Sequence, residues 1–216
     1  MPLTPRRFVS RQEMLEAVAQ RSAALMEEAV AARGRVMLAL SGGNTPRFYL
    51  PMLGARFQRW DVVDVRLIDD RWVCSHHADS NEGMLRQLLP QARLSGLVND
   101  AEGPLAGLAE ASASMAACPE PWDIALLGMG GDGHIASLFP GTGTIEDPAP
   151  YCVAVPEAPL HPRISLSAAA LLRFQHLLLI LTGEDKLDAL ARAERDALPV
   201  RLLTQASERL EIFWSP

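Results

Sequence analysis

The chain has 216 residues, of which 49% are hydrophobic and 21% charged, a balance typical of globular proteins. A chain of this length buries roughly 70% of the surface that its unfolded form exposes, so it can fold without disulfides or metals. The formal charge is −6, and no basic run is longer than Arg6-Arg7, which argues against a nucleic-acid partner or a membrane-surface partner.

Cysteine usage and hydropathy indicate the cellular compartment. Cys74, Cys118 and Cys152 are odd in number and widely spaced, which argues against a disulfide framework and fits a reducing cytoplasm. The segment 1–7 lacks the apolar core of a secretion signal. The longest apolar stretch, 177–181, is too short to cross a bilayer. We therefore expect a cytoplasmic protein with no membrane partner.

Helical and strand patterns alternate along the chain. A helix is predicted to start at Ser10, which forms a capping-box pattern with Glu13 ahead of apolar residues at helical spacing. An apolar strand at 36–40 runs into a glycine turn, and Pro46 then suits the first turn of a second helix. Further strands are predicted at 62–68, 122–127, 151–155, 163–166, 177–181 and 210–214, and further helices at 80–89, at about 105–117 and from about 184.

This alternation predicts an α/β fold, a layered arrangement with a mainly parallel central sheet flanked by helices. No repeat, low-complexity tract or linker divides the chain, so a single domain is expected over 1–216. Ligands of such sheets bind beyond the carboxyl ends of the strands. Four segments with polar or charged residues follow predicted strands and are expected to share one site: 41–45, 69–71, 128–134 and 182–186. The Pro- and Gly-rich segment 140–150 is interpreted as an active-site loop.

The glycine turn after the first strand is a candidate phosphate site, because its N–H groups would face the ligand at the positive end of a helix dipole. It lacks the Gly-Lys-Ser/Thr ending of a P-loop, and a plain tight turn explains it equally well. Lys186 and Arg163 are each either a phosphate ligand or an ordinary surface or strand residue. The turn consists of Ser41, Gly42, Gly43, Asn44 and Thr45.

The loop 128–133 also matches the dinucleotide fingerprint G-x-G-x-x-G, and Glu157 follows at about the distance of a ribose-binding acid. Three features argue against that interpretation. The loop lies mid-chain, Asp132 stands close to where a pyrophosphate would sit, and 137–150 holds prolines and glycines where a crossover helix is needed.

His134 follows this loop and is the candidate general base. We expect it where the loop enters a helical turn, whose dipole favours the neutral ring, whereas Asp132 opposes that shift. General-base catalysis contributes about 10²–10⁴-fold to a rate. A serine nucleophile elbow, G-x-S-x-G, is absent from this segment. Cys74-Ser-His-His77 offers metal-capable ligands, but no second cluster has matching spacing, so we interpret it as a loop without metal.

Together these motifs resemble the 6-phosphogluconolactonase family. The resemblance rests, in the family's order, on 41–46, 69–73 with Ser80 and Asn81, 128–141, 162–166 and 181–186. It implies hydrolysis of the δ-lactone of 6-phosphogluconate in the oxidative pentose phosphate pathway, with neither a metal nor an organic cofactor. It also implies the Rossmann-like fold that this family shares with glucosamine-6-phosphate deaminases and ribose-5-phosphate isomerases.

The residues after His134 distinguish the lactonases from the deaminases. Deaminases continue toward Phe-Asn-Glu-Pro, whereas this chain continues Ala136-Ser-Leu-Phe-Pro140. Three positions depart from the lactonase pattern: Asp70 stands where the family usually has Glu, Gly131 where it has a polar residue, and Ile135 where it has Thr. The first two are expected to alter the rate or the pH optimum.

The resemblance assigns roles to the candidate residues. His134 would draw a proton from water, Arg71 or donors of the glycine loop would stabilise the oxyanion, and Asp132 would orient His134 or the sugar hydroxyls. The phosphate would contact Ser41, Gly42, Gly43, Asn44, Thr45, Arg163 and Lys186. Other substrate contacts are expected from Asp70, Gly130 and Gly131.

Two other functions stay open from the sequence. An isomerase or deaminase of amino-sugar phosphates would need a second base, for which Asp69 or Asp70 is the candidate. A sugar-phosphate sensing module is disfavoured because no helix-turn-helix or basic region precedes the fold. A monomer or a weak homodimer is expected, with a sugar-phosphate lactone as the small-molecule partner.

Overall fold

The computed structural model describes residues 3–216, so the first two residues of the N-terminal segment 1–7 lie outside the described part. The helices are α1 (Arg11–Arg33), α2 (Pro46–Arg56), α3 (Asn81–Leu88), α4 (Pro104–Ala116), α5 (Ala168–Leu171) and α6 (Glu184–Ala191), with 3₁₀ helices at Trp60–Val62 and Pro199–Arg209. The strands are β1 (Arg6–Arg7), β2 (Val36–Leu40), β3 (Val63–Leu67), β4 (Asp69–Arg71), β5 (Arg93–Ser95), β6 (Ile124–Leu127), β7 (Cys152–Val155), β8 (Arg163–Leu166), β9 (His176–Thr182) and β10 (Leu210–Ser215).

Seven strands form one parallel sheet in the order β1-β10-β9-β6-β2-β3-β5. Strand β2 lies inside the sheet between β3 and β6, where Leu38 pairs with Val65 of β3 on one side and with Ile124 of β6 on the other. All five residues of β2 are buried, which explains its continuous apolar sequence. The predicted mainly parallel sheet flanked by helices is therefore confirmed.

Local signals set the long helix α1. The Ser10 side chain accepts a hydrogen bond from the Glu13 N–H at 3.2 Å, as the capping-box pattern predicts. At the other end Gly34 has φ +71°, and its N–H donates to the Val30 carbonyl at 2.8 Å. The buried face of α1 packs against α2 and against strands β2, β6, β9 and β10. Among the described residues, no helix combines the length and the hydropathy needed to cross a bilayer.

A second, three-stranded sheet is the main departure from the sequence-based prediction. The chain leaves the parallel sheet after Leu67, so the predicted strand 62–68 ends early and Asp69–Arg71 forms β4. This strand pairs antiparallel with β8, which also pairs antiparallel with β7. The strand pattern predicted β7 and β8 but not their partners, because apolar alternation carries no information on pairing.

Candidate active site

A cavity of about 280 Å³ lies at the carboxyl ends of β2, β6 and β9. All four strand-end segments contribute to its wall, so the expectation of one shared site is confirmed. The predicted site residues that line it are Ser41, Gly42, Gly43, Asn44, Thr45, Arg71, Gly130, His134, Arg163 and Lys186. The segment 140–150 does not line the cavity, contrary to its interpretation as an active-site loop. It lies instead near the second 3₁₀ helix, where Glu146 is 3.9 Å from Arg201.

His134 and Asp132 form a hydrogen-bonded pair at this cavity. Nδ1 of His134 lies 2.6 Å from Oδ1 of Asp132, and the same oxygen accepts the His134 backbone N–H at 3.2 Å. Partial burial raises the pKa of Asp132, but the hydrogen bonds and charge of His134 outweigh it, and the net pKa lies below the usual value. Asp132 is therefore ionised at neutral pH, and its bond to Nδ1 leaves Nε2 of His134 to act on a ligand.

The loop around His134 differs from the sequence-based prediction. No helical turn begins at His134. Instead Ile135 forms antiparallel bridges with Met129 and Leu138, and Ala136 has φ +52°. The expected contribution of a helix dipole is thus wrong, because a tight bridged turn takes the place of the helix. The charged group that contacts the ring is Asp132.

Gly130 makes room for the His134–Asp132 pair. A Cβ on Gly130 would overlap both the His134 ring and the Asp132 carboxylate. Because no helix follows Gly133, the loop also lacks the helix N-terminus on which a dinucleotide pyrophosphate would rest. Both observations argue against a dinucleotide site at this loop.

The turn after β2 presents free donors at the start of α2. The backbone N–H groups of Gly42, Gly43 and Asn44 have no acceptor within residues 3–216. A Cβ on Gly42 would overlap the Asn81 carboxamide, which donates to the Asp69 carbonyl at 2.9 Å. A glycine is thus required where the turn meets α3, and the exposed N–H groups suit an anion.

Two cations line the cavity in different settings. Arg163 lies on β8 and is buried, with Nη1 3.8 Å from the Asp69 carboxylate and the guanidinium 5.4 Å from the centre of the Phe139 ring. Burial lowers the pKa of Arg163, although a guanidinium stays charged in proteins. Lys186, in the first turn of α6, is partly exposed and donates to Asp185 at 2.9 Å.

The residues after His134 connect it to these groups. The Phe139 ring lies against His134, with 4.5 Å between ring centres, and also beneath Arg163. Ser137 is buried and donates to the Asp69 carboxylate at 2.6 Å. The segment that distinguishes this chain from deaminases in sequence therefore sets the positions of His134 and Arg163 relative to each other.

Asp70 is placed behind the cavity wall, which corrects the expectation of a direct substrate contact. It is fully buried and accepts backbone N–H bonds from Arg71, Asn81 and Glu82 at 2.8, 2.7 and 2.9 Å. Burial raises its pKa to about 6, although these three bonds lower it. Its position explains the role, because a carboxylate at the start of α3 satisfies N–H groups that the helix leaves free.

Gly131 is also absent from the cavity wall. A Cβ there would lie 3.4 Å from Nζ of Lys186 and from the Asp185 carboxylate. The missing side chain thus brings the glycine loop against the first turn of α6. Gly131 therefore allows close packing of the loop on α6. It does not line the cavity, so the expected direct contact of this residue with substrate is not supported.

The sequence analysis gave no substrate contact to Asp69, Asn81 or Thr182, although all three line the cavity. Asp69 and Thr182 belong to the strand-end segments 69–71 and 182–186, so their place at the site was predicted but their contact with a ligand was not. Four lining residues hold a buried polar atom without a hydrogen-bond partner among residues 3–216: Ser41 Oγ, Arg71 Nε, Arg163 Nε and Thr182 Oγ1. Such atoms are costly unless a ligand or water satisfies them, which indicates a polar ligand.

Comparison with known proteins agrees with this geometry. A family model described as glucosamine-6-phosphate isomerases/6-phosphogluconolactonase matches residues 9–214. The chain belongs to this family. It is 33% identical to the 6-phosphogluconolactonase of Rhizobium meliloti over 97% of both chains, and 35% identical to that of Caulobacter vibrioides over the full length of both. The crystal structure of a 6-phosphogluconolactonase from Shewanella baltica superposes with a TM-score of 0.88 at 34% identity, covering 98% of this chain and 97% of that one.

Proposed function

We propose that this protein hydrolyses 6-phospho-D-glucono-1,5-lactone to 6-phosphogluconate, the lactonase step of the oxidative pentose phosphate pathway, with His134 as general base. The observation that carries the proposal is the His134–Asp132 pair at 2.6 Å beside a cavity that also holds Arg163 and Lys186. The full-length relatives of this name support the substrate. No cofactor enters the scheme, because protein groups are assigned to each step.

The phosphate binds between the turn 41–45 and the two cations. The free N–H groups of that turn and the buried Arg163 offer a fixed anion site, and Lys186 adds a second cation from α6. Binding a phosphate that does not react orients the lactone carbonyl toward His134, which converts binding energy into correct placement. The buried unpartnered Thr182 Oγ1 gives a further hydrogen bond to the phosphate or to a sugar hydroxyl.

His134 then activates water. With Nδ1–H held by Asp132, Nε2 accepts a proton from water, and the water oxygen bonds to C1 of the lactone. The carbonyl electrons move to the oxygen, where Arg71 or N–H groups of the glycine loop stabilise the oxyanion. When the tetrahedral intermediate collapses, the bond from C1 to the ring oxygen breaks. His134 returns its proton to that oxygen.

Asp132 is a positioning residue in this scheme. Its carboxylate holds the tautomer with the proton on Nδ1 and stabilises the ring when Nε2 is protonated. An isomerase or deaminase would need a second base, and neither candidate offers a free carboxylate in the cavity. Asp69 already accepts from Ser137 and faces Arg163, and Asp70 lies behind the wall.

We extend the proposal to the state of the protein. One chain supplies every group named above, which supports a single domain that works as a monomer or a weak homodimer. Cys74, Cys118 and Cys152 are free, which supports the reducing cytoplasm as its compartment.

The test is hydrolysis of freshly generated 6-phosphogluconolactone, corrected for spontaneous opening. We expect a rate well above background, and a loss of about 10²–10⁴-fold in kcat for His134→Ala and for His134→Gln with KM changed by less than about threefold. His161→Ala is the matched control with another histidine, outside the cavity wall, and should keep wild-type kcat. Absence of lactonase activity together with ammonia release from glucosamine-6-phosphate would replace the lactonase by the deaminase.

A further inference from the structure

A histidine–aspartate cluster lies outside the cavity wall. One ligand atom from each of His77, Asp79 and His161 falls within 4.8 Å of the others. Nε2 of His161 is 2.8 Å from Oδ2 of Asp79, and Nδ1 of His77 is 3.7 Å from the same oxygen. None of these side chains lines the catalytic cavity, although the Asp79 backbone carbonyl accepts a hydrogen bond from Nη1 of Arg71 at 2.6 Å.

We propose that His77, Asp79 and His161 form a binding site for a divalent transition metal of the zinc class. Imidazole nitrogens and a carboxylate oxygen are ligands that Zn²⁺ accepts, with bonds of about 2.0–2.2 Å. In a tetrahedral site such bonds place ligand atoms about 3.4 Å apart. The two separations given above bracket that value, and the two imidazole nitrogens lie within 4.8 Å of each other, so side-chain rotation would complete three of four positions, with water as the fourth.

The local chemistry favours an ion over an empty cluster. Oδ2 of Asp79 lies 3.7 Å from Nδ1 of His77 and 2.8 Å from Nε2 of His161, so the cluster offers one oxygen and two nitrogen ligands around one point. The His77 and His161 rings meet edge to face, with centres 5.3 Å apart, so they do not block each other. The side chains are 44%, 50% and 26% exposed for His77, Asp79 and His161, which leaves an open path for the ion.

The metal would replace two existing contacts. The Asp79 N–H donates to Nδ1 of His77 at 3.1 Å, and His161 shares a proton with Asp79. Both contacts are at the surface, where water can satisfy the released N–H. His161 binds through Nε2 after its proton moves to Nδ1 or to solvent, because a ligating imidazole nitrogen must be unprotonated.

Chain position explains why the sequence did not reveal this site. His77 belongs to Cys74-Ser-His-His77, which on its own has too few ligands at suitable spacing. His161 lies 82 residues from Asp79 and reaches it through the turn between β7 and β8. The exposed His76, in the same motif, is outside the cluster and serves as a control.

Isothermal titration calorimetry of the full chain with ZnCl₂, at pH 7.5 in a non-chelating buffer, tests the proposal. We expect one ion per chain with a Kd of about 10 µM or lower. His77→Ala and His161→Ala should each weaken binding by at least about tenfold, whereas His76→Ala should stay within about twofold of wild type. Circular dichroism and unchanged lactonase activity without added zinc show that each variant is folded.

Three results would overturn the proposal. The first is no zinc binding to the wild-type chain, and the second is binding that survives both His77→Ala and His161→Ala. The third is loss of binding in Cys74→Ser, which would place the ion on the exposed thiol of the same loop. Because lactonase activity is measured separately, failure of the metal site leaves the proposed function intact, and failure of the function leaves the zinc titration interpretable.

Discussion

The glycine loop 128–134 and the three-stranded sheet both contribute to the active cavity, but they hold charged groups in opposite ways. Asp132, on the loop, is half exposed and bonds to the His134 ring, which gains and loses a proton in the proposed mechanism. Asp70, on β4, is fully buried and accepts three backbone N–H bonds. In the proposed mechanism the proton transfer therefore takes place on an open loop, whereas buried strands fix the surrounding scaffold.

Arg163 and Lys186 show the same contrast between a buried and an exposed charge, and their substitution has the largest expected effect. Arg163 on β8 is buried, so no water replaces its guanidinium, whereas Lys186 is partly exposed beside the glycine loop. We expect Arg163→Met to lower kcat/KM by about 10²–10³-fold and Lys186→Met by only about tenfold, both mainly through KM. Steady-state kinetics measures both.

Stability must be followed in parallel, because removing Arg163 leaves the Asp69 carboxylate without its nearest cation. Arg163→Lys keeps the charge and should recover part of the affinity. Equal losses for Arg163→Met and Lys186→Met would contradict the division between buried and exposed groups.

The raised pKa of Asp70 predicts a pH-dependent stability. Its pKa is about 6 in the folded chain against an ordinary value of 3.8, so its contribution is fully present below about pH 4 and is lost as the pH rises through 6. Relative to Asp70→Asn, the wild-type free energy of unfolding should fall by about 2–3 kcal/mol between pH 4 and 7. Urea unfolding across this range measures it.

Asp132→Asn is the contrasting variant for the same experiment. It should leave the pH profile of stability close to wild type, because Asp132 is at the surface, while lowering kcat through the loss of the bond that orients His134. A flat difference between wild type and Asp70→Asn over pH 4–7 would show that the three N–H donors cancel the effect of burial.

The smallest expected effect concerns Thr182. Its buried Oγ1 has no partner among the described residues, so Thr182→Val should raise KM by about three- to tenfold, at unchanged or higher stability, because only the ligand loses a bond. Ser215→Ala is the matched control. Ser215 pairs with Thr182 across the sheet and also has an unpartnered buried hydroxyl, but it does not line the cavity. A KM equal to wild type in Thr182→Val would remove Thr182 from the substrate contacts.

Elements that are marked by a pattern within a short stretch of sequence were predicted correctly. Strand β2 was predicted at 36–40 and is Val36–Leu40, because a continuous apolar run marks a strand buried on both faces. The start of α1 followed from Ser10, and the convergence of polar strand ends followed from the parallel sheet. His134 and Lys186 were identified for the same reason, since they lie in segments that follow predicted strands, whereas Arg163, at the start of its strand, was considered either a phosphate ligand or an ordinary strand residue.

Features that depend on residues distant in the chain could be seen only in the three-dimensional structure. The antiparallel pairing of β4 with β8 and the contact of His161 with Asp79 each join residues 82 or more positions apart. The burial of Asp70 depends on the segments that pack over it. The bridged turn after His134 was also decided there, by the pairing of Ile135 with Met129 and Leu138. Periodicity and capping report a residue's own neighbourhood in the chain, whereas pairing and burial depend on which distant segments share the same space.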